Sequence, residues 1–373
     1  MSDEIYTRLR KHIDSMPAGF PDTGTGSEIK MLKKFYTHRQ AEIALVVGPL
    51  PEKAEDIAAR LGDTPEKTII EIEQMATEGC LFRMKTSKGT LYSHPNFIMG
   101  LYEWHINKVD KEVATYADDI YEGMFEHHWK GRETKQLRIV PVESAIDSQN
   151  SVNAYDAIRE LVRGSGKGPF VVAPCICRVE AIKKGIEVKR PMDTCLTFGM
   201  VAKYYLDNGI GKQLTEDELM AKLDECEEAS LVPFSTNSQK ISNMCMCDKD
   251  TCQLFRNLRN FDKPAVEVHA AFYAKIEGDL CEGCKKCRKK CQMDAIVPRA
   301  DQTDNKLKIH VVNLDRCIGC GLCISVCETK AIRMVQKNEI PDVPKDPMEM
   351  MMRISEERSK VNQIIQKKVE FHH

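Results

Sequence analysis

Sixteen cysteines hold most of the chemistry open to this 373-residue chain; Cys80 and Cys226 stand alone, and the others fall in tight groups between Cys175 and Cys327. Two segments, DLCEGCKKCRKKCQMDAI at 279–296 and DRCIGCGLCISVCETKAI at 315–332, repeat one spacing, CxxCxxCxxxC. It places Cys281, Cys284, Cys287 and Cys291 in the first copy and Cys317, Cys320, Cys323 and Cys327 in the second. A tight loop with two residues between successive thiols can reach three corners of a cube-shaped metal sulfide. The fourth thiol, at the start of a helix, is aimed elsewhere. CxxC pairs also make zinc sites, but one tetrahedron takes four thiolates and leaves the repeated, wider-spaced last cysteine unexplained. The expected cofactors are therefore two [4Fe-4S] clusters.

Gly283, Gly319 and Gly321 let the backbone wrap closely and aim amide N–H groups at cluster sulfurs. Ile296 and Ile332, at matching places, would shield the clusters from water, and KLKIHVVNLD between the halves is expected to be a strand. With these features the stretch 279–332 resembles the bacterial 2[4Fe-4S] ferredoxin family. In that family the fourth cysteine of each motif ligates the other cluster. The resemblance thus implies Cys281, Cys284, Cys287 and Cys327 on one cluster and Cys317, Cys320, Cys323 and Cys291 on its twin. The family usually has proline after the fourth cysteine; Gln292 and Glu328 stand there instead.

A second constellation lies upstream: PCICR with Cys175 and Cys177, DTCLTFG with Cys195, and NMCMCDKDTC with Cys245, Cys247 and Cys252. Thiols from three distant segments suit a site closed by folding, because a shared metal staples them together. The six are a candidate third iron–sulfur site; zinc, or thiols that are merely reduced and scattered, are the competing readings. The order of APCICR, CLTFG, a later cysteine group and the paired motifs, after a winged-helix-like start, resembles 4Fe-4S dicluster-domain proteins of anaerobic bacteria over most of residues 30–345. Relatives tend to carry a denser run such as CNCC, whereas Met246 and Asp248 interrupt this one, which leaves the ligand set and cluster type open.

These groups need elements to hold them. The composition, 42% hydrophobic and 29% charged with net charge −2, is that of an ordinary folded chain. There is no apolar run near the roughly 20 residues a membrane helix requires. The start, MSDEIYTRLRKHIDSM, has no apolar core of a secretory signal, so a cytoplasmic location is expected. Reduced thiols there argue against a disulfide framework. HRQAEIALVVG, PEKAEDIAARLG and TPEKTIIEIEQMATEGC read as three short helices. The last has Thr64 as N-cap, Pro65 at its first position, and Ile69, Ile72, Met75 and Ala76 on one face. LFRMKTSKGTLYSHP follows as a hairpin around Ser87, Lys88 and Gly89. Three helices and a hairpin resemble a winged helix.

An aromatic-rich helical connector comes next; its His105, His127 and His128 read as core or surface histidines, with no ligand partners at suitable spacing. From RIVPVES onward short apolar strands alternate with helices, and GPFVVAPCICR runs a buried strand straight into a cysteine pair. After NEIPDVPKDP, a helix from about Met348 carries Met350, Met351, Ile354, Val361, Ile364 and Ile365 as an apolar stripe. The expected fold is α+β and multidomain. It comprises a winged-helix-like domain over 1–100, a helical connector over 101–135 and an α/β cysteine-rich domain over 136–270. A 2[4Fe-4S] ferredoxin-like module over 271–338 and a linker with a C-terminal helix over 339–373 complete it.

The function expected is electron transfer, with single low-potential electrons passing to or from a partner such as a flavoprotein or oxidoreductase subunit in anaerobic metabolism. The chain is read as a component of an oxidoreductase system more than a stand-alone enzyme, and membrane association only through a partner. No GxGxxG opens a helix after a strand and no GxxxxGK[ST] occurs; RGSGKGPF, with Lys167, fits neither and reads as a loop before a strand. Two alternatives remain: a redox-sensing regulator acting through the winged helix on DNA, or a reductase whose third cluster is catalytic. The third predicted helix, with Glu66, Glu71, Glu73 and Glu78 against Lys67, is acidic. DNA affinity comes mainly from Lys and Arg on phosphates, so nucleic acid is not the expected partner.

Overall fold

The structure, a computed structural model, describes residues 3–146, 153–299 and 309–370, with the backbone alone at 154 and 361–370. The N-terminal part is helical: α1 (Glu4–Ser15), α2 (Ser27–Phe35), α3 (His38–Ala44), α4 (Ala54–Leu61) and α5 (Pro65–Thr77). Thr64 caps α5 by accepting a hydrogen bond from the Lys67 amide, and Pro65 occupies the first turn, where its missing N–H costs nothing. The buried face of α5 is Thr68, Ile72, Met75 and Ala76. Ile69 lies 39% exposed, because the buried stripe runs by a four-residue step from Thr68 to Ile72 and on to Met75 and Ala76, which leaves Ile69 at its edge. The hairpin follows as β1 (Phe82–Thr86) and β2 (Gly89–Ser93), paired in register from Phe82↔Ser93 to Thr86↔Gly89.

The connector is helical but interrupted. After residues 97–101, where Met99 is left-handed (φ 59°), come α6 (Tyr102–Trp104) and the longer α7 (Lys111–Met124). Val113, Ala117 and Ile120 of α7 are buried, and the helix packs on α2.

The middle part begins with β3 (Leu137–Ile139), α8 (Ile158–Gly164), β4 (Phe170–Pro174), α9 (Ile176–Lys183), β5 (Asp193–Phe198) and α10 (Gly199–Asp207). It continues with β6 (Lys212–Leu214), α11 (Glu216–Glu228), β7 (Val232–Thr236), β8 (Asn243–Cys247) and α12 (Gln253–Arg259). Six strands form one sheet in the order β3-β7-β8-β5-β4-β6. Every ladder in it is antiparallel, which corrects the α/β expectation for this stretch. Although α9 separates β4 from β5 in sequence, it does not carry the chain back to a parallel start; β5 returns directly alongside β4.

Because side chains alternate across a strand, the two faces of this sheet differ. Phe170, Val172, Leu196, Phe198, Met244 and Met246 pack with Leu161 and Val162 of α8 and Leu219 and Leu223 of α11. The other face presents Ala173, Cys195, Cys245, Phe234 and Cys247.

The C-terminal module comprises β9 (Phe272–Ile276), α13 (Lys286–Lys290), β10 (Ile296–Pro298), β11 (His310–Val312) and β12 (Ile332–Gln336). β9 pairs with β12 and β10 with β11, both antiparallel. The expected inter-motif strand is β11; the start of KLKIHVVNLD lies outside the described residues. One apolar core runs from Ile5 and Leu9 of α1 to Ile332 and Met334 of β12. The last helix, α14 (Pro347–Glu370), buries Met350 and Ile354. Met351 of the expected stripe is half-buried, and Val361, Ile364 and Ile365 lie outside the described side chains. No described helix is long and apolar enough to cross a membrane.

Candidate metal centres

In the C-terminal module the two motif loops share a backbone pattern. The second residue after the first cysteine is left-handed in each, Gly283 (φ 68°) and Gly319 (φ 69°). So are the fourth, Lys285 and Gly321, and the residue three beyond the last cysteine, Asp294 and Lys330. At Gly319 a Cβ would lie 2.1 Å from the Phe272 carbonyl oxygen, so the loop can take its path against β9 only with glycine there. These turns gather the thiols. Cys287 lies in the electrostatic field of Cys281, Cys284 and Cys327. Cys320 lies in that of Cys291 and Cys317, and Cys323 in that of Cys320, Cys317 and Cys291. Each loop's fourth cysteine is thus found with the other loop's first three. Cys287 also neighbours Cys323, so the two groups adjoin.

Backbone amides point at the sulfurs: Ala274 N donates to Cys317 Sγ at 3.4 Å and Ala295 N to Cys291 Sγ at 3.2 Å. Burial pushes the Cys320 thiol up to about 12 and the Cys287 thiol up to about 11. Only the thiolate ligates a metal, and a bound cation would supply the positive charge that offsets this burial cost. Cys284 is exposed while Cys317 and Cys323 are buried, so the first group faces outward and the second faces the body of the chain. Ile296 and Ile332 are both buried.

The middle part brings six further thiols together. Cys195 and Cys245 are directly opposed in the β5–β8 ladder. Cys247 shares their face, two residues along β8. Cys175 and Cys252 are the residues immediately before α9 and α12, where helix N-termini favour a thiolate. Contacts link Cys175 to Cys177, Cys177 to Cys252, Cys252 to Cys247 and Cys247 to Cys245. Burial opposes ionisation of Cys252, yet hydrogen bonds from Cys177, Cys247 and the Phe255 amide bring it down to about 6. Burial and the neighbouring Cys245 hold Cys195 well above the usual thiol range. Among the described residues no three His, Cys, Asp or Glu side chains meet closely enough for a single ion; a four-iron cube takes thiolates spread over its corners.

Residues the cysteine spacing did not single out hold this group in place. Arg178, the last residue of PCICR, is 1% exposed and donates to Asp248 Oδ2 at 2.8 Å and to the Met246 carbonyl at 3.1 Å. Asp248 also accepts the Asp250 and Thr251 amides, both at 2.9 Å. Burial alone would raise its pKa, but the Arg178 hydrogen bond and charge outweigh this and hold the carboxyl below its usual range. Asp248, an interruption in sequence, is therefore the clamp that shapes the Cys247–Cys252 loop. A charged residue inside a buried apolar cysteine motif was the available signal. Around Cys195 stand Tyr205 and Glu103; burial raises the Glu103 carboxyl to about 7 against a hydrogen bond from the Gly100 amide.

The remaining candidates lie elsewhere. Cys80 packs against His105, and Cys226, on the buried face of α11, belongs to the core between that helix and the sheet. His105 is buried with Nδ1 on the Leu101 carbonyl, His128 binds Asp14 at 2.8 Å and His127 is exposed; none meets a thiol group of either part.

Residues 274–334 match the family model of the 4Fe-4S dicluster domain. No solved structure matches the chain. The C-terminal module is thus an iron–sulfur-binding, ferredoxin-type segment with an electron-transfer role.

Proposed function

We propose that the chain is an electron-transfer protein or subunit with three iron–sulfur centres. Cys281, Cys284, Cys287 and Cys327 would hold one [4Fe-4S] cluster, and Cys291, Cys317, Cys320 and Cys323 a second. A third centre would draw its ligands from Cys175, Cys177, Cys195, Cys245, Cys247 and Cys252. Bound clusters of this kind supply one-electron transfer at potentials set by hydrogen bonding and exposure. The chain's own residues do the rest: Ala274 and Ala295 amides stabilise thiolate charge, the Arg178–Asp248 clamp sets the middle loop, and apolar residues exclude water.

The observation that carries this reading is the convergence of the six middle thiols, contributed by β5, β8 and two helix N-termini, beside the dicluster module. The exposed Cys284 side suits an approaching redox partner. The N-terminal helices and hairpin, read as a winged helix, would serve docking. Exposed Ile70 on α5 fits a protein contact better than a phosphate backbone. A cytoplasmic, anaerobic setting belongs to the same reading. Iron and acid-labile sulfide analysis with EPR on anaerobically purified protein tests it. About twelve irons per chain fit three cubane centres; about eight remove the middle one, and zinc in place of iron removes the proposal. Sequence-specific, micromolar DNA binding would favour a regulator instead.

A further inference from the structure

The two cysteine motifs carry the same thiols on different backgrounds. Between its cysteines and besides Gly319, the second copy has Ile318, Gly321, Leu322, Ile324, Ser325 and Val326, all uncharged. At the matching places the first copy has Glu282, Lys285, Lys286, Arg288, Lys289 and Lys290. The motif itself therefore requires no charge there, since one copy has none. Four of the five residues of α13 are cationic, and the fifth, Cys287, is its one buried residue. Like charges three or four positions apart, such as Lys285 with Lys289 and Lys286 with Lys290, repel and weaken a helix. The cations thus work against the local fold, and neither the motif nor the helix explains them.

They face outward and are only partly neutralised. Lys285, Lys286, Arg288 and Lys289 are exposed. Lys286 pairs with Glu328, while Lys290 donates to the Glu228 carbonyl at 3.4 Å and to Ser230 Oγ. Among the described residues no carboxylate pairs with Lys285, Arg288 or Lys289. With Glu282 and Glu328 set against the five cations, the patch remains net positive. Within the same segment Cys284 is exposed, and Leu280, next to Cys281, is 52% exposed. An apolar side chain inside a charged rim has the anatomy of a protein interface. A nucleic-acid backbone would use the cations but neither Leu280 nor Cys284.

We propose that this face, α13 with the Cys284 loop and Leu280, docks a one-electron carrier protein whose own redox group is ringed by aspartate and glutamate. The proposal rests on the reading of the chain as an electron-transfer protein and adds the charge of its partner. Opposite charges steer the two surfaces together and fix their orientation, and the attraction falls as salt screens it. The partner's carboxylates meet Lys285, Arg288 and Lys289, the cations left without a carboxylate of their own.

The test is isothermal titration calorimetry of the anaerobically purified full chain with flavodoxin, a carboxylate-rich one-electron flavin carrier. Cytochrome c, a lysine-rich carrier, is the counterpart. Titrations at about 0.01 M and about 1 M salt compare conditions in which charges act over roughly 30 and 3 Å. Flavodoxin should bind at low salt, at least about tenfold more tightly than at high salt and than cytochrome c. Lys285→Gln, Arg288→Gln and Lys289→Gln combined should weaken it about tenfold, the worth of three exposed charge pairs, with iron content unchanged. Lys183→Gln, Lys203→Gln and Lys212→Gln combined remove the same charge from exposed places on the middle part and should bind like the parent. If the first triple variant loses iron, Lys289→Gln alone takes its place, with about twofold weakening expected. Four results overturn the proposal: no flavodoxin complex, equal binding of cytochrome c, equal weakening by the two triple variants, or a DNA duplex bound more tightly than flavodoxin through the same cations. A variant that binds like the parent but shifts the reduction potentials also overturns it, because the cations would then tune the cluster. Iron is read on the same samples. Zinc in its place removes the electron-transfer reading and this proposal with it, whereas iron-replete protein that fails to bind removes this proposal alone.

Discussion

The side-chain oxygen of Gln292 accepts a hydrogen bond from the backbone amide of Lys249 at 2.9 Å. Gln292 follows Cys291, and Lys249 lies in the loop between Cys247 and Cys252, so one amide side chain ties the dicluster module to the middle thiol group. Its nitrogen donates to the Ser230 carbonyl at 3.1 Å, and the residue is 3% exposed. The proline usual at this place in the ferredoxins it resembles could make neither bond.

Replacing Gln292 with proline should therefore leave the Lys249 N–H and the Ser230 carbonyl buried and unpartnered, at about 1–3 kcal/mol each. Anaerobic thermal unfolding should show a midpoint several degrees lower, with the iron of the dicluster module retained. The expected spectroscopic change is in any magnetic interaction between the second module cluster and the middle centre, read by EPR of the reduced protein. An unchanged midpoint and unchanged spectrum would show that the contact is incidental.

Asp248→Asn tests the clamp. Arg178 and Asp248 are both fully buried and directly paired, and breaking one partner of such a pair costs about 3–5 kcal/mol because the other charge is left uncompensated. The variant should unfold at lower denaturant and lose the middle iron before that of the module. Equal loss from all centres would mean the pair supports the whole chain and not the Cys247–Cys252 loop.

Gly319→Ala and Gly62→Ala separate backbone conformation from contact. Both glycines are left-handed, but a Cβ at Gly62 meets nothing within 4 Å while one at Gly319 runs into Phe272. Gly62→Ala should cost only about 1 kcal/mol. Gly319→Ala should displace the loop from β9 and remove the visible iron–sulfur absorbance of that cluster. If its spectrum is normal, the close approach to Phe272 is not required for cluster assembly.

What the sequence made legible is what is local. The repeated CxxCxxCxxxC spacing and the Thr64–Pro65 helix start depend on residues a few positions apart. So does the strand entering Cys175, and each is found where the pattern placed it. Ile69 departs from the pattern because both Thr68 and Ile69 are within helical reach of Ile72, and only tertiary packing decides that the Thr68 side is covered. The antiparallel return of β5 beside β4, the Arg178–Asp248 clamp and the Gln292–Lys249 bridge depend on chain segments brought together by folding. No local spacing encodes such contacts, although an arginine or aspartate inside a buried cysteine motif signals that a partner must exist.

Acid should weaken the N-terminal part through two buried histidines whose hydrogen bonds go to Tyr36, Pro95, Leu101 and Cys80, not to a thiol proposed to bind iron. His94 is 3% exposed, with Nδ1 on the Pro95 carbonyl and Nε2 near the Tyr36 hydroxyl, and burial lowers its pKa to about 4. His105, 1% exposed and stacked 4.0 Å from Phe35, is lowered to about 3 for the same reason. An unfolded histidine titrates near 6.5. Between that value and the folded pKa the unfolded chain binds more protons, so stability present above pH 6.5 is lost as the pH falls toward 4. By pH 5 the loss from His94 should be about 2 kcal/mol. His94→Gln removes this titration, so anaerobic urea unfolding at pH 7.5 and pH 5 should show a smaller pH-dependent loss than in the parent by about that amount. Comparing the two proteins cancels the acid lability of the clusters, and an identical pH dependence in both would mean that His94 is charged or solvated in the folded chain.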